Sequence, residues 1–103
     1  MNLNLKNKKA LICGGSSGIG KGIAIALAKE ECEVFICARN QYNLDKTKQE
    51  IERNYYCKIT AIKCNLNSSI ERNHLKKSID NIDILVNNTG GPEPLSISDL
   101  NLD

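Results

Sequence analysis

The chain has 103 residues, which is room for one small domain. Hydrophobic residues make up 41% of the sequence and charged residues 25%, a globular composition that excludes a disordered or fibrous chain. The net charge of +2 is small and the lysines are dispersed, so the composition argues against nucleic acid or an anionic membrane surface as a partner.

Short apolar runs and helical spacings alternate along the chain. The apolar runs predict strands that are buried on both faces of a sheet, and the segments between them carry apolar residues at helical spacing. Ser68 followed by Glu71 predicts a capping box at the start of the third helix. In chain order the predicted elements are a strand at 9–13, a helix at 19–29, a strand at 33–38, a helix at 41–53, a strand at 58–64, a helix at 68–79 and a strand at 82–86.

This alternation with short connections predicts an α/β fold. Each crossover helix must bury its apolar stripe against the sheet, and right-handed crossovers place helices on both faces. We expect a Rossmann-type doubly wound parallel sheet with strand order 3-2-1-4. We also expect one NAD(P)-binding domain over residues 1–103, incomplete because the chain ends soon after its fourth strand.

Cysteine usage and the absence of long apolar segments bear on location. The five cysteines form no CxxC pair, and an odd count without a disulfide framework fits a reducing compartment. Neither a signal peptide nor an apolar run long enough for a bilayer is evident. The sequence predicts a cytoplasmic protein without a metal site and without a membrane partner.

A glycine-rich turn joins the first strand to the first helix. Gly14, Gly18 and Gly20 give the spacing GxxxGxG, with Ser16 and Ser17 between them. Such glycines permit a tight turn and let backbone N–H groups approach a diphosphate, which the positive end of the helix dipole also attracts. The turn therefore predicts a phosphate site, with a plain strand-to-helix turn as the alternative.

Two other nucleotide-binding folds match part of this pattern. Residues 15–21 satisfy GxxxxGK, the start of a P-loop, but Gly22 stands where Ser or Thr would bind magnesium. The fourth strand also ends in Asn87 rather than in an acid. A methyltransferase-like sheet would carry an acid after its second strand, where this chain has Arg39. Both alternatives are disfavoured.

Arg39 bears on the choice of cofactor. It lies about 20 residues after the glycine turn, where dinucleotide folds place the group that reads the ribose 2′ position. An acid there accepts from the 2′-OH of NAD, whereas an Arg pairs with the 2′-phosphate of NADP. The sequence favours NADP over NAD, with a solvated turn residue as the alternative reading of Arg39.

With these motifs at this spacing, the chain from Lys9 to Pro92 resembles the short-chain dehydrogenase/reductase family. Residues 14–20 are similar to its glycine-rich turn. Residues 87–92, Asn-Asn-Thr-Gly-Gly-Pro, are similar to its NNAG motif, in the variant of 3-oxoacyl-ACP reductase-like members. Thr89 replaces the usual Ala. Asn65 stands where an Asp is frequent, and its side-chain oxygen could still accept from the adenine amino group.

The resemblance implies roles for residues at one edge of the sheet. The two serines of the glycine turn and Ile19 would lie along the diphosphate and ribose, and Asn65 and Leu66 would contact the adenine. Asn88 and Gly90 would line the adenosine ribose and the approach to the nicotinamide. The implied cofactor-binding residues are Gly14, Ser16, Ser17, Gly18, Ile19, Gly20, Arg39, Asn65, Leu66, Asn88 and Gly90.

The implied activity is hydride transfer between NADP(H) and a small carbonyl or alcohol substrate. The family carries its catalytic Ser and its Tyr-x-x-x-Lys pair beyond the last strand found here, so we expect no catalytic residue in this chain. The alternative is a non-catalytic dinucleotide-binding fragment or a nucleotide-sensing module. In either case the fourth strand would have an open edge, which predicts self-association.

Overall fold

A computed structural model describes residues 5–14 and 18–88 of the chain. Strands and helices alternate along these residues in the order that the sequence predicts. The elements are β1 Lys9–Cys13, α1 Gly18–Lys29, β2 Glu33–Ala38, α2 Gln41–Asn54, β3 Ile59–Lys63, α3 Ser69–Ser78 and β4 Ile84–Asn87. None of these three helices has the length and apolar character needed to cross a membrane.

The four strands form one parallel sheet in the order β3-β2-β1-β4. This confirms the Rossmann-type doubly wound arrangement. Cys13 at the end of β1 pairs in register with Cys37 of β2 and with Asn87 of β4. All strands therefore end at one edge of the sheet, and β1 and β4 flank the point where the connections diverge. Ligands of doubly wound folds bind at this switch point.

Two apolar layers cover the two faces of the sheet. Successive strand residues point to opposite faces, so each strand contributes to both layers. The first layer joins the sheet to α1 and α2, with Ile12, Ile36, Ala24, Ala28, Leu44 and Ile51 among its members. The second layer joins the sheet to α3 and contains Leu11, Cys13, Phe35, Cys37, Cys64, Leu75 and Ile79. Helices therefore pack on both faces, as the crossover argument requires.

The fourth strand begins later than the sequence suggests. The apolar run predicts a strand at 82–86, whereas β4 is Ile84–Asn87. Asn81 adopts a left-handed φ of 57°, which turns the chain. The side-chain oxygen of Asp83 accepts the N–H of Lys9 at 2.8 Å, and the Asp83 N–H donates to the Lys9 carbonyl oxygen at 2.9 Å. The residues before β4 therefore form a turn at Asn81 and a side-chain contact at Asp83. An apolar pattern predicts neither.

Polar side chains define where α2 and α3 begin. The side chain of Asn40 accepts the N–H of Asn43 at 3.0 Å, and the hydroxyl of Ser68 accepts the N–H of Glu71 at 3.3 Å. The second contact confirms half of the predicted capping box. The reciprocal half is wrong, because the Glu71 carboxylate accepts the N–H of Asn65 and the Ser68 N–H donates to the Asn65 carbonyl oxygen. Glu71 therefore holds the end of β3 instead of capping its own helix.

Candidate functional site

Two glycines in left-handed conformation set the turn after β1. Gly14 has a φ of 77°, and its N–H donates to the carbonyl oxygen of Cys37 at 2.8 Å. Gly18, the first residue of α1, has a φ of 55°. An L side chain is strained at both positions. Glycine is therefore favoured both where the chain leaves β1 and where it enters α1.

Gly20 brings α1 into backbone contact with the end of β1. A Cβ on Gly20 would lie 2.1 Å from the carbonyl oxygen of Gly14 and 2.9 Å from the side-chain nitrogen of Asn88. A Cβ on Gly22, two residues further along the helix, would meet nothing within 4 Å. The amino end of α1 thus lies directly at the switch point. The first N–H groups of a helix have no partner within that helix, and together with the positive end of the dipole they suit a phosphate.

Ile19 and Asn88 border the same turn. The Asn88 N–H donates to the carbonyl oxygen of Cys13 at 2.9 Å, which places Asn88 beside the glycine turn. Ile19 is 72% exposed on the first turn of α1 and offers apolar surface beside the glycine turn. The structure therefore brings together five of the residues that the sequence assigns to the cofactor: Gly14, Gly18, Ile19, Gly20 and Asn88. The assignments of Ser16, Ser17 and Gly90 fall outside the described residues.

Arg39 lies at the same edge, directly after β2. The carbonyl oxygen of Ala38 accepts the N–H of Cys64 at 2.9 Å, so the residues that follow β2 and β3 lie side by side. Arg39 is exposed, and its guanidinium has no hydrogen bond or ion pair among residues 5–14 and 18–88. An exposed guanidinium with no partner among these residues is available to an anionic ligand.

The turn after β3 places Asn65 and Leu66 at the sheet edge. The side-chain oxygen of Asn65 accepts the N–H of Asn67 at 3.0 Å, which fixes the orientation of the amide. A carbonyl oxygen has two lone pairs, so one acceptor position of Asn65 remains for a ligand. Leu66 is half-buried and packs against the second apolar layer. Both residues therefore lie in the turn that follows β3 at this edge, and their contact with the adenine stays a prediction.

Three buried thiols lie directly beneath this edge. Cys13, Cys37 and Cys64 belong to the second apolar layer. The hydrogen bond between the Cys13 and Cys37 side chains, together with burial, raises the pKa of Cys37. Burial and the nearby Glu71 carboxylate raise the pKa of Cys64. Cys37 and Cys64 stay protonated at neutral pH and act as small apolar side chains rather than as nucleophiles. In the part of the chain that the structure describes, no three His, Cys, Asp or Glu residues are grouped so that they could hold a metal ion.

Two charged residues of α3 reach this site although the sequence interpretation assigned them no role in it. The Glu71 carboxylate accepts the Asn65 N–H at 3.1 Å, and the Arg72 guanidinium donates to the Leu66 carbonyl oxygen at 2.7 Å. In the sequence, Glu71 reads as a capping residue, and no role is predicted for Arg72. Only the placement of α3 against the end of β3 shows that both hold the turn.

Comparison with known proteins agrees with this geometry. A family model described as short chain dehydrogenase matches residues 8–103. The uncharacterized oxidoreductase YvaG of Bacillus subtilis is 36% identical over 101 residues, which cover 97% of this chain and 38% of that protein. The 3-oxoacyl-[acyl-carrier-protein] reductase FabG of Rickettsia bellii is 36% identical over 88 residues, which cover 85% of this chain and 35% of that protein.

A solved structure shows the same likeness in three dimensions. L-sorbose reductase from Gluconobacter frateurii, complexed with NADPH and L-sorbose, superposes with a TM-score of 0.83 at 26% identity. The match covers 95% of this chain and 39% of that protein. The chain thus spans less than half of the length of each of these three relatives.

Proposed function

Because the chain belongs to the short-chain dehydrogenase family, we propose that it forms the cofactor-binding part of an NADP-dependent oxidoreductase. Such an enzyme transfers a hydride between NADP(H) and a small carbonyl or alcohol substrate. The observation that carries this proposal is the close backbone contact between Gly20 and Gly14 at the switch point. A Cβ on Gly20 would collide with Gly14, so only glycine lets the amino end of α1 lie against the end of β1, and a helix amino end suits a phosphate.

In this proposal, different residues of the edge would bind different parts of the cofactor. Backbone N–H groups at the start of α1, with the hydroxyls of Ser16 and Ser17, would bind the diphosphate. The exposed side chain of Ile19 would cover the adjoining ribose, and Asn88 and Gly90 would line the opposite wall. When bound, the nicotinamide supplies the carbon that accepts or donates the hydride. The protein's own part is to orient the cofactor by these contacts.

The choice of NADP rests on Arg39. A guanidinium forms charge-assisted, bidentate hydrogen bonds with a phosphate, and no acid stands at this position to accept from the 2′-OH of NAD. The solved reductase from Gluconobacter frateurii is a complex with NADPH. Both points support NADP as the preferred cofactor.

The remaining parts of the proposal concern the setting of this domain. We propose that residues 1–103 form a single cofactor-binding domain that does not turn over a substrate alone, because the Ser and Tyr-x-x-x-Lys residues of the family have no counterpart in it. All five cysteines are free in the structure, which suits a reducing, cytoplasmic location.

Calorimetric titration with NADPH and NADH tests the proposal. We expect tighter binding of NADPH, and we expect Arg39→Ala to weaken NADPH binding by about tenfold to a hundredfold, because a charged hydrogen bond to the 2′-phosphate is lost. Binding of NADH should change by less than about twofold, since it lacks that phosphate. Arg53→Ala, at an exposed arginine in the last turn of α2, is the matched control and should leave both affinities unchanged.

Other outcomes would contradict the proposal in distinct ways. Equal affinity for both dinucleotides would remove the NADP assignment, and preference for ATP with magnesium would remove the dinucleotide assignment. Tight NADPH binding by the complete protein without turnover of a panel of carbonyl compounds would instead favour the non-catalytic binding module.

A further inference from the structure

The turn between β3 and α3 is held by side chains from a single helix. Glu71 binds the backbone N–H of Asn65 at 3.1 Å, and Arg72 binds the backbone carbonyl of Leu66 at 2.7 Å. Both side chains are half-buried, and both contacts are charge-assisted, which makes them stronger than neutral hydrogen bonds. The start of α3 therefore binds two consecutive residues that follow β3. Glu71 is the acceptor and Arg72 the donor.

These contacts leave Asn65 with one orientation. Its N–H is bound by Glu71, its backbone carbonyl accepts the Ser68 N–H at 3.0 Å, and its side-chain oxygen accepts the Asn67 N–H at 3.0 Å. The remaining acceptor position on the side-chain oxygen is then directed by the turn and not by free rotation. A binding group fixed in this way loses little entropy when a ligand arrives.

We propose that Glu71 and Arg72 are positioning residues for adenine recognition, holding Asn65 so that its side-chain oxygen accepts from the adenine amino group. This inference rests on the proposed function, because it requires a cofactor that carries adenine. Neither charged side chain touches the ligand, and both act through the backbone of the turn. A further contact from the Cys64 thiol to the Glu71 carbonyl oxygen at 3.6 Å ties α3 to the end of β3 and keeps the two charges in place.

A purely structural role for these residues would have a different signature. Loss of a helix contact would lower stability and weaken every ligand by a similar factor. Loss of positioning would weaken only the part of binding that depends on the adenine amino group. The two possibilities therefore separate when the same variants are titrated with two cofactors that differ at that group.

The experiment uses the full chain and two ligands, NADPH and its hypoxanthine analogue, in which a carbonyl oxygen replaces the amino group. We expect the unmodified chain to bind NADPH more tightly, because the Asn65 oxygen meets a donor in NADPH and another acceptor in the analogue. Glu71→Ala should weaken NADPH binding by about fivefold and leave the analogue nearly unchanged, so that the ratio of affinities approaches one. Arg72→Ala should act in the same direction. Glu71→Gln retains an oxygen acceptor and should keep most of the preference.

Matched controls are available on α2. Glu52→Ala and Arg53→Ala remove the same charges from exposed positions and should leave the ratio of affinities unchanged. Urea unfolding of every variant shows whether each is folded under the titration conditions. If Glu71→Ala weakens both ligands equally, or neither, the positioning role is overturned.

The failure of this inference can be told from the failure of the proposed function. If the unmodified chain binds NADPH tightly but does not distinguish it from the analogue, Asn65 does not read the amino group, and the inference fails while the NADP assignment stands. If the chain binds no dinucleotide at all, both fail together.

Discussion

Cys37 shows how a residue next to the binding edge is kept chemically inert. It lies two residues before Arg39, its own carbonyl oxygen receives the N–H of Gly14, and its side chain is fully buried. The hydrogen bond with the Cys13 thiol and the surrounding apolar layer raise the pKa of Cys37 above its ordinary value. A thiolate would have no solvent here, so the residue contributes packing and not reactivity.

The raised pKa has a consequence for stability at alkaline pH. A thiol whose pKa is higher in the folded chain stabilises the fold fully below the unfolded pKa, near 9, and this contribution is lost as the pH rises further. We expect the free energy of unfolding to fall above about pH 9, by up to about 1.4 kcal/mol per pH unit for each such thiol. Urea unfolding between neutral pH and the alkaline range measures this slope. Cys64→Ala, which removes a buried thiol with a raised pKa outside the Cys13–Cys37 hydrogen bond, should reduce the slope, and an unchanged slope in that variant would contradict the assignment.

At the scale of an element, α1 contains one glycine whose position has no room for a side chain and another whose position has ample room. Gly20 is buried against the carbonyl of Gly14, whereas Gly22 lies on the exposed side of the same helix with open space around it. Glycine within a helix costs about 0.5–1 kcal/mol relative to alanine, because it loses more backbone freedom on folding. The helix tolerates that cost at Gly20 because close approach to β1 requires it, and no contact in the structure requires it at Gly22.

Alanine at these two positions therefore gives a matched pair. We expect Gly22→Ala to stabilise the chain by about 0.4–1 kcal/mol and to leave NADPH affinity unchanged. We expect Gly20→Ala to destabilise it by about 1–3 kcal/mol, since the added carbon forces α1 away from β1, and to weaken NADPH binding more than tenfold. Urea unfolding and calorimetric titration measure both effects. Unimpaired NADPH binding by Gly20→Ala would show that the cofactor does not bind at the contact between Gly20 and Gly14.

At the scale of the whole molecule, β4 forms one boundary of the sheet. Among the described residues it pairs only with β1, so its other side presents backbone N–H and carbonyl groups. Ile84 and Val86 pack toward the first apolar layer and Leu85 toward the second, but all three remain half-exposed. An apolar strand edge of this kind is a template for the addition of another strand.

We therefore expect the 103-residue chain to self-associate. Sedimentation velocity should give an apparent mass above 11.4 kDa at micromolar concentrations, and this mass should fall on dilution. Ile84→Lys places a charge at the edge and should reduce association. Ile70→Lys, at a 69% exposed position on α3, is the matched control and should have little effect. A single species of monomer mass at every concentration would contradict this expectation.

Much of this architecture follows from the sequence alone. Apolar runs and helical spacings predict every strand and helix to within two residues at each end, because burial on both faces of a sheet and on one face of a helix leaves different periods in the sequence. The glycine spacing and Arg39 likewise predict a dinucleotide-binding edge, since positive φ and a close backbone approach demand glycine and a phosphate favours a guanidinium.

Only the tertiary structure decided which atoms meet at that edge. The sequence pairs Glu71 with Ser68 through local spacing, but the carboxylate binds Asn65 instead, because α3 packs with its first turn against the end of β3. The same packing brings the Arg72 guanidinium to the Leu66 carbonyl oxygen, a contact that no sequence pattern predicted. Local patterns record which face of an element is buried. They do not record which polar groups two elements bring within hydrogen-bonding distance, because that depends on how the elements pack.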